Sequence, residues 1–304
     1  MPKHGFTVYD AEMVLVAALW GGNFSVSKFA LLTLPPLTFT GIRFALASLV
    51  LYLIAKRAGA LRQLPRKTFW SLVGLGVVGN TFYQTAFING LAITSATNSA
   101  MIVAILPVMV AVLGAWFGIE RASPLMWLGV VLGTGGVLLV VTAHGVTLHS
   151  DAVLGDLLVL FATVCWSFYT VGVLRVGKGV NPLQITTITA MAGTPGLVLL
   201  GALGVSRVEW SGVSTKTWAA LLYAALLSLV FSYILYNRAV QAIGSGRTAI
   251  YNCFTPLVAM VVAWLTLGEV PLPLQFVGVV LVIGGVLVSV LSTRAAAQGA
   301  VAPE

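Results

Sequence analysis

The chain contains few charged residues. Only 8% of its 304 residues are Asp, Glu, Lys or Arg, 59% are hydrophobic, and the mean hydropathy is +1.02. A soluble domain needs roughly a quarter of its residues as charged side chains. This composition therefore excludes an ordinary soluble fold and predicts a protein embedded in a lipid bilayer.

Groups able to do chemistry are scarcer still. The chain has eight acidic residues, three histidines and two cysteines, and all eight acids lie at the ends of apolar runs or outside them. An intramembrane enzyme needs a cluster of nucleophile, base or metal ligands, so we expect no catalytic residue, no metal ion and no cofactor. A carrier that exchanges protons for lipophilic cations needs a carboxylate at depth, so the position of the acids argues against that kind of carrier. The G-x-x-x-x-G-K-[ST] loop of nucleotide hydrolases is also missing from the sequence.

Basic residues are in excess and give a net charge of +8, but they do not form the clustered domain or arm that binds nucleic acid. They lie in the short segments between apolar runs. When the N-terminus is placed in the cytoplasm, twelve of them fall in inside segments and only Arg207 and Lys216 in outside ones. Because basic loops stay on the cytoplasmic side, we expect a multi-pass inner-membrane protein with both termini in the cytoplasm.

Ten apolar runs can each cross a bilayer as a helix, for which about 20 residues are needed. Several breaks between the runs coincide with prolines, where helices start or stop easily. The pattern predicts an all-α integral membrane protein with spans at roughly 13–33, 37–55, 69–90, 95–118, 124–143, 153–174, 183–204, 216–238, 245–268 and 273–293.

The two halves of the chain repeat each other. A shift of 149 residues places Pro107 on Pro256 and Glu120 on Glu269, and thirteen of the 32 positions from 107 to 138 are then identical. Such self-similarity indicates a duplication. Because each copy has five helices, an odd number, the second copy must enter the membrane from the opposite face. The prediction is two five-helix inverted repeats.

The repeats also divide the chain into segments. We expect a cytoplasmic N-terminus at 1–12, a first repeat at 13–143, a second repeat at 153–293 and a disordered cytoplasmic tail at 294–304. In the first helices the copies match at a shift of 146, which places Trp20 on Trp166. Two halves that exchange conformations can present one central site to each face in turn, as carriers require.

Several motifs together resemble a known family. They are Leu19-Trp20-Gly21 followed by Lys28, Pro36 followed by Arg43, and the proline-then-glutamate helices of both halves. In this combination the chain resembles the drug/metabolite transporter superfamily, in its ten-helix branch with two EamA domains. Within that branch it looks most like the YddG-type exporters of aromatic and other apolar amino acids. The resemblance implies a basket-shaped bundle around a central cavity, lined mainly by helices 1, 3, 4, 6, 8 and 9.

Polar and aromatic residues far from the helix ends are the candidate cavity residues. Any one of them could instead bind a neighbouring helix, because membrane helices use such contacts at about 0.6 kcal/mol each. As a set they favour a cavity with aromatic rings and neutral hydrogen-bonding groups. The set is Trp20, Asn23, Ser27, Asn80, Tyr83, Gln84, Met101, Trp166, Tyr169, Tyr233, Tyr236, Tyr251, Asn252 and Thr255.

Two symmetric prolines and two charges inside spans leave alternatives open. Pro107 and Pro256 each remove a backbone donor, which produces either a static kink or a hinge facing the cavity. Lys28 and Arg43 either snorkel toward the outer surface or act as gate residues. As gate residues they would attract a substrate carboxylate or lock the outer gate to helix carbonyls.

Acidic residues and glycine pairs near the end of each repeat are candidates for structural roles. Glu120 and Glu269 follow the fourth and ninth spans, and we expect them to accept hydrogen bonds from the first amides of the next helix. The Gly135-Gly136 and Gly284-Gly285 pairs permit close helix contact, so the fifth and tenth spans should be packing elements and a possible dimer face.

The resemblance and the residues together suggest a facilitative exporter of aromatic or apolar amino acids and related small metabolites. A nucleoside or sugar-derivative exporter and a proton-coupled drug exporter remain alternatives. The expected partners are a small-molecule substrate and the lipid bilayer, with no nucleic acid, in a monomer or weak homodimer.

Overall fold

A computed structural model describes residues 7–118, 124–142 and 151–299, and all regular structure in these ranges is helical. Within these ranges, six helices are long and apolar enough to cross a membrane, and Thr255–Leu267 and Pro273–Gly285 are shorter apolar helices. The all-α membrane fold is therefore confirmed. The described residues form α1 (Val8–Ala30), α2 (Pro36–Arg57), α3 (66–93), α4 (Ala96–Trp116), α5 (Pro124–Thr142), α6 (Asp151–Val176), α7 (Pro182–Ala202), α8 (Thr215–Ile243), α9 (245–267) and α10 (Pro273–Gly299).

Corresponding helices of the two halves run antiparallel. In the α2–α7 pair, Gly41 packs on Leu197 whereas Gly201 packs on Leu37, so the two helices run in opposite directions. The side-chain oxygens of Ser48 and Thr194, which are repeat partners 146 positions apart, lie 2.6 Å from each other in the same pair. This geometry confirms the predicted inverted repeat.

Packing between the halves follows the same symmetry. Helix α1 contacts α8 and α9, and the corresponding α6 contacts α3 and α4. Exchange of the two halves therefore maps the contact pattern onto itself. The helices α1, α3, α4, α6, α8 and α9 thereby surround the centre of the bundle, where the two halves meet.

Helices α5 and α10 pack on each other through glycines. A Cβ atom at Gly285 would lie 2.5 Å from the carbonyl oxygen of Gly129 and 2.6 Å from the nitrogen of Gly133. In the contact related to this one by exchange of the two halves, a Cβ atom at Gly136 would lie only 2.7 Å from the carbonyl oxygen of Gly278. Backbones this close leave no room for a side chain, so the prediction that these helices are packing elements is correct.

In the part of the chain that the structure describes, four helices are irregular, at corresponding places in the two halves. Helices α3 and α8 contain π-helical segments, Val77–Phe82 and Tyr223–Phe231. Helix α4 is interrupted after Val103, and α9 passes through the 3₁₀ segment Tyr251–Phe254.

The symmetric prolines stand at the interruptions of α4 and α9. Pro107 and Pro256 lie in the first turn of Leu106–Trp116 and Thr255–Leu267. A proline is well tolerated there because its missing N–H would have no helical partner. Each proline therefore starts a new helical segment and does not bend a continuous helix.

The first and last helices are longer than the apolar runs. Helix α1 begins at Val8, because Asp10 forms a capping box with Thr7 and an ion pair with Arg247. These partners satisfy a carboxylate that the sequence interpretation had placed outside the helix. Helix α10 continues to Gly299, so the expectation of a disordered tail is wrong for 294–299. Glu120 lies outside the described residues.

Candidate functional site

A small enclosed chamber lies at the centre of the bundle. Its volume is about 40 Å³, and a water molecule needs roughly 10–15 Å³ of such space. The chamber therefore holds a few waters at most, so a larger ligand requires the helices to move apart. It is lined by Trp20, Asn23, Phe24, Arg43, Tyr83, Gln84, Phe87, Val103, Leu106, Thr163, Trp166, Ser228, Leu229, Tyr233, Asn252 and Thr255.

The chamber lies on the symmetry axis between the repeats. Many lining residues are repeat partners of one another, related by the shift of 146 in the first helices and 149 in the later ones. The helices that line it are the six implied by the resemblance, together with α2. The paired lining residues are Trp20 with Trp166, Gln84 with Tyr233, Val103 with Asn252, and Leu106 with Thr255.

Four aromatic rings form one wall of the chamber. The ring centroid of Trp166 lies 5.8 Å from that of Trp20, 5.0 Å from that of Tyr83 and 5.1 Å from that of Tyr233. The Trp20 and Tyr233 rings meet edge to face at 6.0 Å. Such rings contact apolar groups through their surfaces and attract cations through their faces.

The π-helical segment of α8 holds the first tryptophan in place. The indole nitrogen of Trp20 donates to the main-chain oxygen of Ser228 at 3.0 Å, and the hydroxyl of Tyr223 donates to the oxygen of Leu19 at 2.9 Å. Both Ser228 and Tyr223 belong to the π-helical segment. Irregular turns of this kind often occur at functional sites. Here the segment fixes the orientation of the aromatic wall.

Several polar atoms at the chamber have no hydrogen-bond partner among the described residues. They are Asn23 Oδ1, Asn252 Nδ2 and Thr255 Oγ1, and all three are buried. Buried polar groups in native proteins are nearly always hydrogen-bonded, to protein or to water. Because these three residues line the chamber, they can bind a polar ligand or ordered water there.

Arg43 also lines the chamber. Its side chain is only 1% exposed, and its Nη2 donates to Gln84 Oε1 at 2.5 Å. Gln84 in turn donates from Nε2 to the hydroxyl of Tyr233 at 3.2 Å. The guanidinium lies 5.0 Å from the ring centroid of Phe39. The snorkelling interpretation is therefore wrong for Arg43, because its charge points into the bundle.

Lys28 bonds to the end of α3. Its Nζ donates to the main-chain oxygens of Leu91 at 2.8 Å and Ala92 at 3.3 Å, and also to that of Thr94. A cation suits the carbonyl-rich end of a helix. The structure therefore shows Lys28 bound to helix carbonyls, and its role as a gate residue stays a prediction.

Six predicted cavity residues lie outside the chamber wall. Tyr169 bonds to Asn237 at 3.1 Å, Tyr236 to Thr170 at 2.8 Å and Asn80 to the oxygen of Thr189 at 2.8 Å, so they form a second layer between helices. Helical spacing identifies a polar face, but it does not distinguish the first layer from the second. The six are Ser27, Asn80, Met101, Tyr169, Tyr236 and Tyr251.

The apolar part of the wall was not among the predicted cavity residues. Phe24, Val103, Leu106 and Leu229 resemble ordinary membrane-helix residues, and Thr163 and Ser228 resemble helix-binding ones. The repeat register could have identified Val103 and Leu106, which are the partners of Asn252 and Thr255.

A cluster of ion pairs and hydrogen bonds lies at the start of α1. Asp10 is fully buried and accepts from Arg247 at 2.7 and 3.0 Å and from the hydroxyl of Tyr251 at 2.6 Å. Glu12 and Arg238 form a second ion pair at 3.3 Å. This α1-start cluster (Asp10, Glu12, Arg238, Arg247 and Tyr251) joins α1 to α8 and α9.

A second cluster lies at the start of α6, the repeat partner of α1. Asp156 is the repeat partner of Asp10 at the shift of 146, and its Oδ1 accepts from the hydroxyl of Thr94 at 2.6 Å. The carboxylate of Glu269 accepts from the backbone nitrogens of Ala96 at 3.0 Å and Thr97 at 3.1 Å. This α6-start cluster (Asp156, Thr94, Ala96, Thr97 and Glu269) joins α6 to α3, α4 and α9.

Glu269 corrects one prediction. It was expected to cap the helix that follows it, α10, but it caps the start of α4 in the other half of the chain. The first amides of α4 have no helical partner and attract a negative charge. Because α4 and α9 are repeat partners running antiparallel, the end of one lies beside the start of the other.

Two inverted repeats around a central chamber are typical of secondary transporters. Residues 10–142 and 153–291 each match the EamA-like transporter family. These matches cover most of the chain, which therefore belongs to that family. It is a multi-pass membrane protein of a transporter family.

Known proteins similar to this chain are also transporters by name. It is 29% identical over 270 residues to "Uncharacterized transporter YyaM" of Bacillus subtilis, and this match covers 88% of this chain and 88% of the relative. It is 26% identical over 276 residues to the "Probable terminal-alkyne amino-acid exporter" of Streptantibioticus cattleyicolor, covering 90% of this chain and 91% of the relative. One solved structure matches in fold with a TM-score of 0.67 at 18% identity, over 93% of this chain and 96% of the other.

Proposed function

We propose that this protein exports aromatic or apolar amino acids and related small metabolites across the cell inner membrane by alternating access. The observation that carries the proposal is the chamber on the repeat axis, with aromatic rings and unpartnered polar groups in its wall. We assign the α1-start and α6-start clusters as its two closures, one toward each face of the membrane. Opening one closure at a time exposes the chamber to one face of the membrane.

The wall of the chamber favours a substrate with an apolar or aromatic part. Trp20, Tyr83, Trp166 and Tyr233 supply ring surfaces, and Asn23, Asn252 and Thr255 supply neutral hydrogen-bonding atoms. A site with large rings and a few polar groups matches the usual design of small-molecule sites. The name of the Streptantibioticus relative, an amino-acid exporter, supports the same class of substrate.

The closures support a facilitative mechanism. Asp10 and Asp156 are both buried, but they lie at the two ends and not in the wall of the chamber. Within the described residues no carboxylate lines the chamber, so the substrate moves without direct contact with a titrating acid. The excess of basic loops on one side supports an orientation with both termini in the cytoplasm.

Counterflow in liposomes tests the proposal. Purified protein is reconstituted with unlabelled phenylalanine, methionine or threonine inside, and uptake of the labelled amino acid is followed with and without a pH gradient. We expect internal phenylalanine to accelerate uptake of labelled phenylalanine in the absence of the gradient. Absence of counterflow for every amino acid would refute the substrate class, and strict dependence on the gradient would refute the facilitative mechanism.

A further inference from the structure

We infer that Arg43 is the anion-binding group of the chamber and that it binds the carboxylate of the transported molecule. The inference rests on the proposed transport function and narrows its substrate class to compounds with a carboxylate beside an apolar group. It assigns a recognition role to one residue of α2, a helix that the resemblance did not place at the cavity.

The first observation is the hydrogen bonding of the guanidinium. A guanidinium carries five N–H donors, and within the described residues Arg43 has a single hydrogen bond, from Nη2 to the neutral oxygen of Gln84. Its Nε is buried without a partner in the same part of the chain. A buried charge is costly unless it is paired and hydrogen-bonded. The site therefore has donors available for a ligand.

The second observation is the contrast with the other cations inside the bundle. Lys28 donates to three main-chain oxygens, and Arg247 pairs with Asp10 through two nitrogens. No carboxylate of the described residues pairs with Arg43, and the rings of Phe39 and Phe44 lie 5.0 and 5.9 Å from its guanidinium. Of these three cations, Arg43 alone lines the chamber.

The third observation is that the guanidinium is held in position. Gln84 accepts from Arg43 and donates to Tyr233, which links α2, α3 and α8 in one chain of hydrogen bonds. The ring of Phe39 lies beside the planar group. A planar guanidinium held this way can donate two parallel hydrogen bonds to a carboxylate. The aromatic wall then receives the apolar part of the same molecule.

Ligand-induced stabilisation of the detergent-purified protein tests the inference without a transport assay. Phenylpropionate should raise the unfolding temperature at concentrations about 10- to 100-fold lower than phenylpropionamide, which lacks the charge, because a charge-assisted hydrogen bond is lost. Equal stabilisation by the acid and the amide would overturn the inference. Equal stabilisation by phenylpropionate and acetate would overturn it as well, since it would show a general anion site.

Variants test whether Arg43 causes the preference for the acid over the amide. Arg43→Gln should remove the preference for the acid over the amide, and Arg43→Lys should retain part of it. Arg207→Gln, the same change at an exposed arginine that does not line the chamber, should leave the preference intact. An unchanged preference in Arg43→Gln would assign carboxylate binding elsewhere and overturn the inference. If Arg43→Gln does not fold, the comparison of acid, amide and acetate on the unaltered protein still tests whether the chamber binds a carboxylate beside an apolar group.

A transport assay distinguishes failure of this inference from failure of the proposed function. In liposomes, phenylalanine should compete with labelled phenylalanine at concentrations about 10- to 100-fold lower than phenylalaninamide. Transport of phenylalanine without that difference would overturn the inference and leave the proposed function standing. No transport of any amino acid, with acid-selective stabilisation retained, would overturn the substrate class and leave a carboxylate site in the chamber.

Discussion

Trp20 and Trp166 occupy the same position in the two repeats and contact each other, edge to face, with their ring centroids 5.8 Å apart. Residues that are repeat partners and also neighbours must lie at the axis that relates the halves. Both rings line the chamber. Each repeat therefore contributes its tryptophan to the aromatic wall.

Removal of a wall ring should reduce transport more than it reduces folding. Each aromatic contact contributes about 0.5–1.5 kcal/mol, and Trp20 contacts Trp166, Tyr233 and Tyr236. We expect Trp20→Ala and Tyr83→Ala to lower counterflow of phenylalanine roughly tenfold or more while expression is retained.

Trp70→Ala is the matched control for the wall rings, because that tryptophan is 58% exposed on the outside of the bundle. It should transport at the normal rate. Normal rates in Trp20→Ala and Tyr83→Ala would show that the wall does not contact the substrate.

The glycine contact between α5 and α10 makes a prediction about stability. In Gly285→Ala the new methyl group would meet the backbone of Gly129 and Gly133 at 2.5–3.1 Å, so overpacking should cost about 1–3 kcal/mol. The neighbouring Gly284 has no atom within 4 Å of the same position. Gly284→Ala should therefore change the unfolding midpoint little.

Unfolding midpoints of the two variants in one detergent test this pair. A midpoint for Gly285→Ala equal to that of Gly284→Ala would contradict the close α5–α10 contact. A large loss in Gly284→Ala alone would place another partner, such as a second copy of the chain, against that face.

The ion pair at the α1-start cluster should hold one end of the chamber closed. Asp10 is fully buried with three side-chain donors, Thr7, Arg247 and Tyr251. Removal of one charge from a buried pair leaves the other uncompensated. We expect Asp10→Asn to raise the population that is open at this end several-fold.

Labelling of a cysteine placed at Thr163 in a cysteine-free background measures that opening. The matched control is Glu12→Gln, because the Glu12–Arg238 pair is longer, at 3.3 Å, and the arginine side chain is 47% exposed. Exposed pairs contribute little. Equal labelling rates in Asp10→Asn and Glu12→Gln would remove the closure role from Asp10.

The cap that Glu269 provides across the halves should contribute to stability. Glu269→Ala removes three hydrogen bonds to Ala96 and Thr97, and loss of a helix cap costs about 0.5–2 kcal/mol. Glu209→Ala, an exposed acid in the loop before α8, is the control and should unfold at the normal midpoint. A loss in Glu269→Ala no larger than in Glu209→Ala would show that the cap is energetically neutral.

The sequence predicted the candidate site only in part. Of the fourteen predicted cavity residues, the structure places eight in the chamber wall, among them Trp20, Tyr83, Trp166 and Tyr233, and the other six behind it or at its ends. Aromatic and polar residues in an apolar helix mark the side that faces other helices. They do not reveal which layer they occupy, because that depends on the distance to the opposite helix.

Composition and repetition by themselves determined the membrane setting, the helical fold and the opposed orientation of the two halves. These follow from local rules, since a bilayer requires apolar helices of set length and an odd number of helices inverts the second copy. The partners of Arg43, Lys28 and Glu269 were decided only by the tertiary structure. Those partners lie 41 to 173 residues away along the chain, and long-range packing alone brings such groups within hydrogen-bond distance.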